Sequence, residues 1–116
     1  MTSAPTTIPS ENDFLAAFGV EPVEAEPADG YWCYEFTAED GEGLRFSFNA
    51  HERSVQTVWT SRGRAVCTVV HENASAVRVE EGAIRVEFIH EPNECRTILD
   101  VQVFPEVQMR WSSILV

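Results

Sequence analysis

The chain has 116 residues, 44% of them hydrophobic, and a formal charge of −11 at neutral pH. That length and apolar content suit one domain with a packed core and exclude wholesale disorder. Residues 1 to 42 hold ten acids and no Lys or Arg, whereas residues 43 to 116 hold nine acids and all eight basic residues, so the front carries −10 and the rest −1; a block of that sign repels nucleic acid and anionic membrane and steers a basic protein.

Residues 1–9, "MTSAPTTIP", read as a flexible arm, and residues 10–116 as a single β-rich domain. Ser10 is placed to cap a helix over 11–18, with Glu11 and Asp13 favoured in its first turn by the helix dipole. Phe14, Leu15 and Phe18 share one face of that helix, and Gly19 is a suitable stop. Residues 19–30, with Pro22 and Pro27, read as an acidic linker.

Strands are expected from 31 to 111. Trp32, Tyr34 and Phe36 alternate, as do Leu44, Phe46 and Phe48, then Val55, Thr57 and Trp59. "AVCTVVH" is a continuous apolar run, the pattern of a strand covered on both faces. Short turn-rich breaks separate these runs, as sequential antiparallel strands require. In "VRVEEGAIRVE", a two-residue Glu81-Gly82 turn pairs Glu80 with Ala83, Val79 with Ile84 and Val77 with Val86. Arg78 then faces Arg85, with Glu80 and Glu87 on the diagonals to relieve the repulsion. The tail keeps Val101, Val103, Pro105, Val107, Met109 and Trp111 on one face, as a strand bent at Pro105 would. A helix begun at Pro105 is the competing possibility. The expected fold is mainly β: an antiparallel meander of seven or eight strands, curved into a half-barrel or sandwich, with one short N-terminal helix.

No stretch carries a catalytic motif. His51-Glu52, His71-Glu72 and His90-Glu91 each close a proposed strand, but none extends to H-E-x-x-H. On alternate strands the imidazoles would lie roughly 10 Å apart, too far to share one ion, so no metal is expected. Cys33, Cys67 and Cys95 form no C-x-x-C pair and read as small buried hydrophobes in a reducing compartment. The one glycine cluster, "DGEG", is acidic and would repel phosphate. No cofactor and no enzyme activity are expected. Met1 to Val20 lacks a basic leader region, and no apolar run is long enough to cross a bilayer.

An acidic, lysine-free front on a small β-domain suits a stoichiometric inhibitor of a basic protein. The whole-chain pattern, a short "ENDFLAAFGV" helix, an acidic Pro-rich link, "GYWCYEF" and strand-turn repeats such as "VRVEEGAIRVEF", resembles bacterial polymorphic-toxin immunity proteins. That resemblance implies a cytoplasmic protein that binds and neutralises a cognate toxin, often an enzyme; a non-catalytic monomer or weak homodimer is expected. It carries over no functional residue. The acidic front and its adjoining aromatic nominate Glu21, Glu24, Glu26, Asp29, Tyr31, Glu39, Asp40 and Glu42 as partner-binding residues. An acidic secretion chaperone or adaptor, and a small-ligand-binding β-barrel, are the alternatives.

Overall fold

The computed structural model describes residues 7–90 and 95–115. Helix α1 runs Glu11–Phe18, and its start is a reciprocal capping box. Ser10 Oγ accepts from the Asp13 N–H at 3.1 Å, and Asp13 Oδ2 accepts from the Ser10 N–H at 2.8 Å. Both bonds satisfy backbone donors that a helix end leaves orphaned. Gly19, at φ +72°, turns the chain out of the helix.

Among the described residues nine strands follow, in two antiparallel sheets. The first sheet takes β1 (Glu24–Glu26), β2 (Tyr31–Thr37), β3 (Gly43–Asn49), β4 (Ser54–Ser61) and β5 (Arg64–His71) in chain order. The second takes β6 (Ala74–Glu80), β7 (Ala83–His90), β8 (Cys95–Gln102) and β9 (Gln108–Leu115), also in chain order. The meander is therefore broken once, between β5 and β6, and the described strands close no barrel. Its members exceed the expected seven or eight because β1 and a short 3₁₀ turn (Pro27–Asp29) arise within the acidic linker. All three β1 residues are exposed, so β1 shows no apolar period; only its pairing, Glu24 with Cys33 and Glu26 with Tyr31, defines it.

The alternating aromatics form the inner face of the first sheet. Tyr34, Phe36, Leu44, Phe46, Phe48 and Val55 join Val77, Ile84, Val86, Phe88, Leu99 and Val101 of the second sheet in one core. Phe14 of α1 is fully buried in the same core, stacked on Tyr34 with ring centroids 3.8 Å apart and on Phe48 at 6.0 Å. An eight-residue helix cannot persist alone, so this contact is what holds it.

The β6–β7 hairpin has the register expected from its Glu81-Gly82 turn, with Val79 opposite Ile84 and Val77 opposite Val86. The expected Arg78–Glu87 diagonal forms, whereas the hydrogen-bond partner of Arg85 lies on the next strand. Arg78 bonds Glu87 at 3.3 Å, while Arg85 bonds Asp100, directly opposite on β8, at 2.8 Å.

Three other sequence readings are corrected. "AVCTVVH" is β5, the edge strand of the first sheet rather than one covered on both faces, and Val66 and Val70 are 57% and 65% exposed. The tail is neither a helix nor one bent strand: it reverses at 103–107, so that Val101 pairs with Met109 and Leu99 with Trp111. This reversal pairs residues of like parity, so the odd-numbered face survives it and periodicity could not separate a bend from a turn. The described end of the arm is also placed. Thr7 bridges Ala76 in parallel, donating to Ser75 O at 3.2 Å and accepting from Val77 N–H at 2.8 Å, and Ile8 packs on the core.

Candidate functional site

The acidic residues at the β1 edge of the first sheet are positioned by β1 and by the turn that follows it. Register places Glu24, Glu26, Tyr31, Cys33 and Glu35 on the outer face, away from the aromatic core. Arg45, opposite Glu35 on β3, reaches across this face: Nη1 donates to Glu35 at 2.8 Å and Nη2 to Glu24 at 2.9 Å. The Tyr31 hydroxyl donates to the other oxygen of Glu24 at 3.4 Å. One arginine thus fixes two carboxylates, and its hydrogen bond to Glu24 leads the factors that raise the Arg45 pKa.

Beneath this layer Cys33 is fully buried. Burial pushes its thiol up despite the nearby Arg45 cation. Burial likewise raises the Tyr31 phenol, with Cys33 and Glu24 adding to the effect. Both shifts favour the neutral form of the group.

Beyond Tyr31 the surface dips into a concavity of about 550 Å³ lined by Glu26, Ala28, Asp29, Tyr31, Asn49, His51 and Glu52. Three carboxylates and no Lys or Arg line it. Gly30 sets its shape. At φ +71° it turns the chain from the 3₁₀ segment into β2, and a Cβ there would lie 2.5 Å from the His51 ring. The Gly30 carbonyl accepts from Ala50 N–H at 2.8 Å, and Asn49 Oδ1 accepts from both His51 and Glu52 N–H. These bonds pin the β3–β4 turn against the acidic turn.

The eight nominated residues fall into separate places. Glu24, Glu26, Asp29 and Tyr31 come together as described, and Glu21 is exposed on the approach to β1. Glu39, Asp40 and Glu42 occupy the β2–β3 turn at the other end of β2, seven residues or roughly 20 Å away. There Asp40 Oδ1 accepts from Glu42 N–H at 3.0 Å, and Glu39 N–H donates to Pro105 O at 3.3 Å. Sequence reasoning missed Glu35, Arg45, Asn49, His51 and Glu52. The Glu35–Arg45 pair was readable from the β2–β3 hairpin register, whereas the return of His51 and Glu52 to Gly30 depends on how two turns pack.

The other His-Glu pairs lie elsewhere. His71 ends β5 and stacks at 4.1 Å on Phe88 of the second sheet, with Trp111 at 5.5 Å. The His90 side chain and Glu91 lie outside the described residues, as does the Cys95 side chain. Among the described residues no group of three His, Cys, Asp or Glu side chains could hold a metal ion, and no helix is long and apolar enough to cross a membrane.

Architecture and surface together define a two-sheet antiparallel β-domain, capped by one helix, with an acidic edge. No protein family and no curated protein matches the chain. Its fold is shared with a chain of the contact-dependent growth inhibition toxin–immunity protein complex from Klebsiella pneumoniae 342. The TM-score is 0.79 at 21% identity, over 94% of this chain and 97% of that one.

Proposed function

We propose that this chain is an immunity protein that binds a cognate toxin domain and blocks it, using the acidic edge around Tyr31 as part of the contact. The supporting observation is the conjunction of a fold shared over nearly the whole length with a chain of a toxin–immunity complex and an acidic edge, which suits a basic partner. Of the two roles in such a pair, inhibition suits a chain of net charge −11 whose β1 edge and adjoining turns gather Glu24, Glu26, Asp29 and Glu52. The Glu24 and Glu35 carboxylates held by Arg45 are pre-organised, which lowers the ordering cost of docking. Tyr31, half-buried with its hydroxyl at the surface, supplies the amphipathic anchor that interfaces favour. A cytoplasmic location and non-catalytic action belong to the same proposal.

The partner to test is the toxin domain encoded beside this chain, or one captured from the native host. Co-expression should restore growth, and purified components should form a stoichiometric complex. Reversing Glu24, Glu26 and Asp29 should chiefly slow association, and added salt should slow wild-type association as well. Tyr31→Ala should instead hasten dissociation, because that contact is short-ranged. An association rate indifferent to salt and to the three reversals would remove the acidic edge from recognition. Failure to protect against the co-encoded toxin would remove the immunity assignment.

A further inference from the structure

We infer that residues 21–29 form a strap that opens as a unit while the rest of the fold stays closed, and that Arg45 is the latch holding it shut. The opening is a property of the free chain; only its consequence for toxin binding rests on the immunity reading. Every residue of 23–29 is exposed, and β1, three residues long, borders only β2 in the described sheet. The segment therefore places no side chain in the core, and apolar burial contributes little to holding it. Its two ends are fixed. Val20 packs on the core, and the buried Gly30 is tied to the β3–β4 turn through its carbonyl. Between them the ties are polar: the short β1–β2 ladder, the Val23 N–H to Cys33 O bond at 2.8 Å, and the Arg45 bond to Glu24 at 2.9 Å.

Cys33 reports the closed state. It lies on the outer face of the first sheet, directly opposite Glu24, yet it is fully buried. Its cover is polar. Tyr31 and Glu35 flank it along β2, and Arg45 reaches from β3 across β2 to Glu24, so the guanidinium and its two carboxylates roof the thiol. The Tyr31 hydroxyl, bonded to the same Glu24, adds to that cover. The roof faces water: the side chains of Arg45, Glu24 and Glu35 are 42%, 56% and 53% exposed. Ion pairs in that setting are weak and are screened by salt, so this latch biases the strap without locking it. Releasing Glu24 from Arg45 frees β1, uncovers Cys33, and moves Glu24 and Glu26 away from Tyr31 and the β3–β4 turn. Only the closed strap assembles the acidic edge, so the closed fraction scales the apparent affinity of whatever binds there.

The test is labelling of the full chain with N-ethylmaleimide at neutral pH, resolved by peptide mass spectrometry, over urea concentrations below the unfolding midpoint. Cys33 should label at a rate nearly independent of urea, because opening the strap exposes little surface. Arg45→Met should speed that labelling by about tenfold, and Arg45→Lys by less, because an ammonium keeps the charge and loses the fork. Raised salt should speed the wild type by a smaller factor. Arg85→Met removes an arginine of similar exposure from the other sheet and should leave Cys33 unchanged. Circular dichroism checks that each variant is folded. Hydrogen exchange supplies a second measurement: peptides spanning 21–30 should exchange faster than β3, and faster again in Arg45→Met. Cys33 labelling that tracks global unfolding across the urea series would overturn the strap, and a rate indifferent to Arg45→Met would overturn the latch. Bound toxin should slow Cys33 labelling. A complex in which Cys33 labels at the free rate would overturn the link to recognition, while labelling of the free chain still decides the strap.

Discussion

Phe14→Ala tests whether α1 is held by one aromatic contact. Phe14 is completely buried and stacked on Tyr34 and Phe48, so its removal leaves a ring-sized cavity between helix and sheet. Phe-to-Ala changes at such sites cost about 3–5 kcal/mol, and lost ring stacking moves the expectation toward the upper half of that range. At a urea slope of about 1.5 kcal/mol/M, a loss near 4 kcal/mol lowers the unfolding midpoint by about 2.7 M. The control is Leu15→Ala on the same helix, where the side chain is 47% exposed and the expected loss is under about 1 kcal/mol. Urea titrations followed by tryptophan fluorescence report both, because Trp32 donates to Glu11 of α1 at 3.1 Å and stacks on Phe48. A loss below about 1 kcal/mol for Phe14→Ala, with unchanged slope, would refute the claim that this ring anchors the helix.

Two further outcomes follow from the polar groups. Burial, with a smaller push from the Glu11 charge, raises the Tyr34 phenol to about 12 from its ordinary 10.0. The folded pKa is the higher one, so the stabilising contribution is complete below pH 10 and is lost as pH rises toward 12. It amounts to roughly 2–3 kcal/mol at about 1.4 kcal/mol per unit, and is readable as tyrosinate absorbance rising together with unfolding. In the second sheet, Glu87 is nearly buried between Arg78 and Arg96, whereas Asp100 and its partner Arg85 are well exposed. Glu87→Gln should therefore cost at least about 1 kcal/mol more than Asp100→Asn, measured as the difference between their urea midpoints.

What the sequence by itself determined is whatever depends on neighbours along the chain. Ser10 and Asp13 specify a helix start because a capping box spans three residues. The two-period of Trp32, Tyr34 and Phe36 specifies an inward face because side chains alternate along a strand. Glu81-Gly82 specifies register because a two-residue turn leaves no other pairing in step. The asymmetric charge, too, is a property of composition. What only the tertiary structure decided depends on groups distant in sequence. β1 is a strand solely because Tyr31 to Cys33 lie beside it, and its exposed residues carry no apolar signal. β5 looks like a strand covered on both faces in sequence, but Val66 and Val70 point to the outer side of the sheet, away from the core, and meet solvent. The candidate acidic site divides in the same way. Its charges were legible, whereas the clamp of Arg45 on Glu24 and the return of His51 and Glu52 to Gly30 were not, because they arise where separate turns and strands converge.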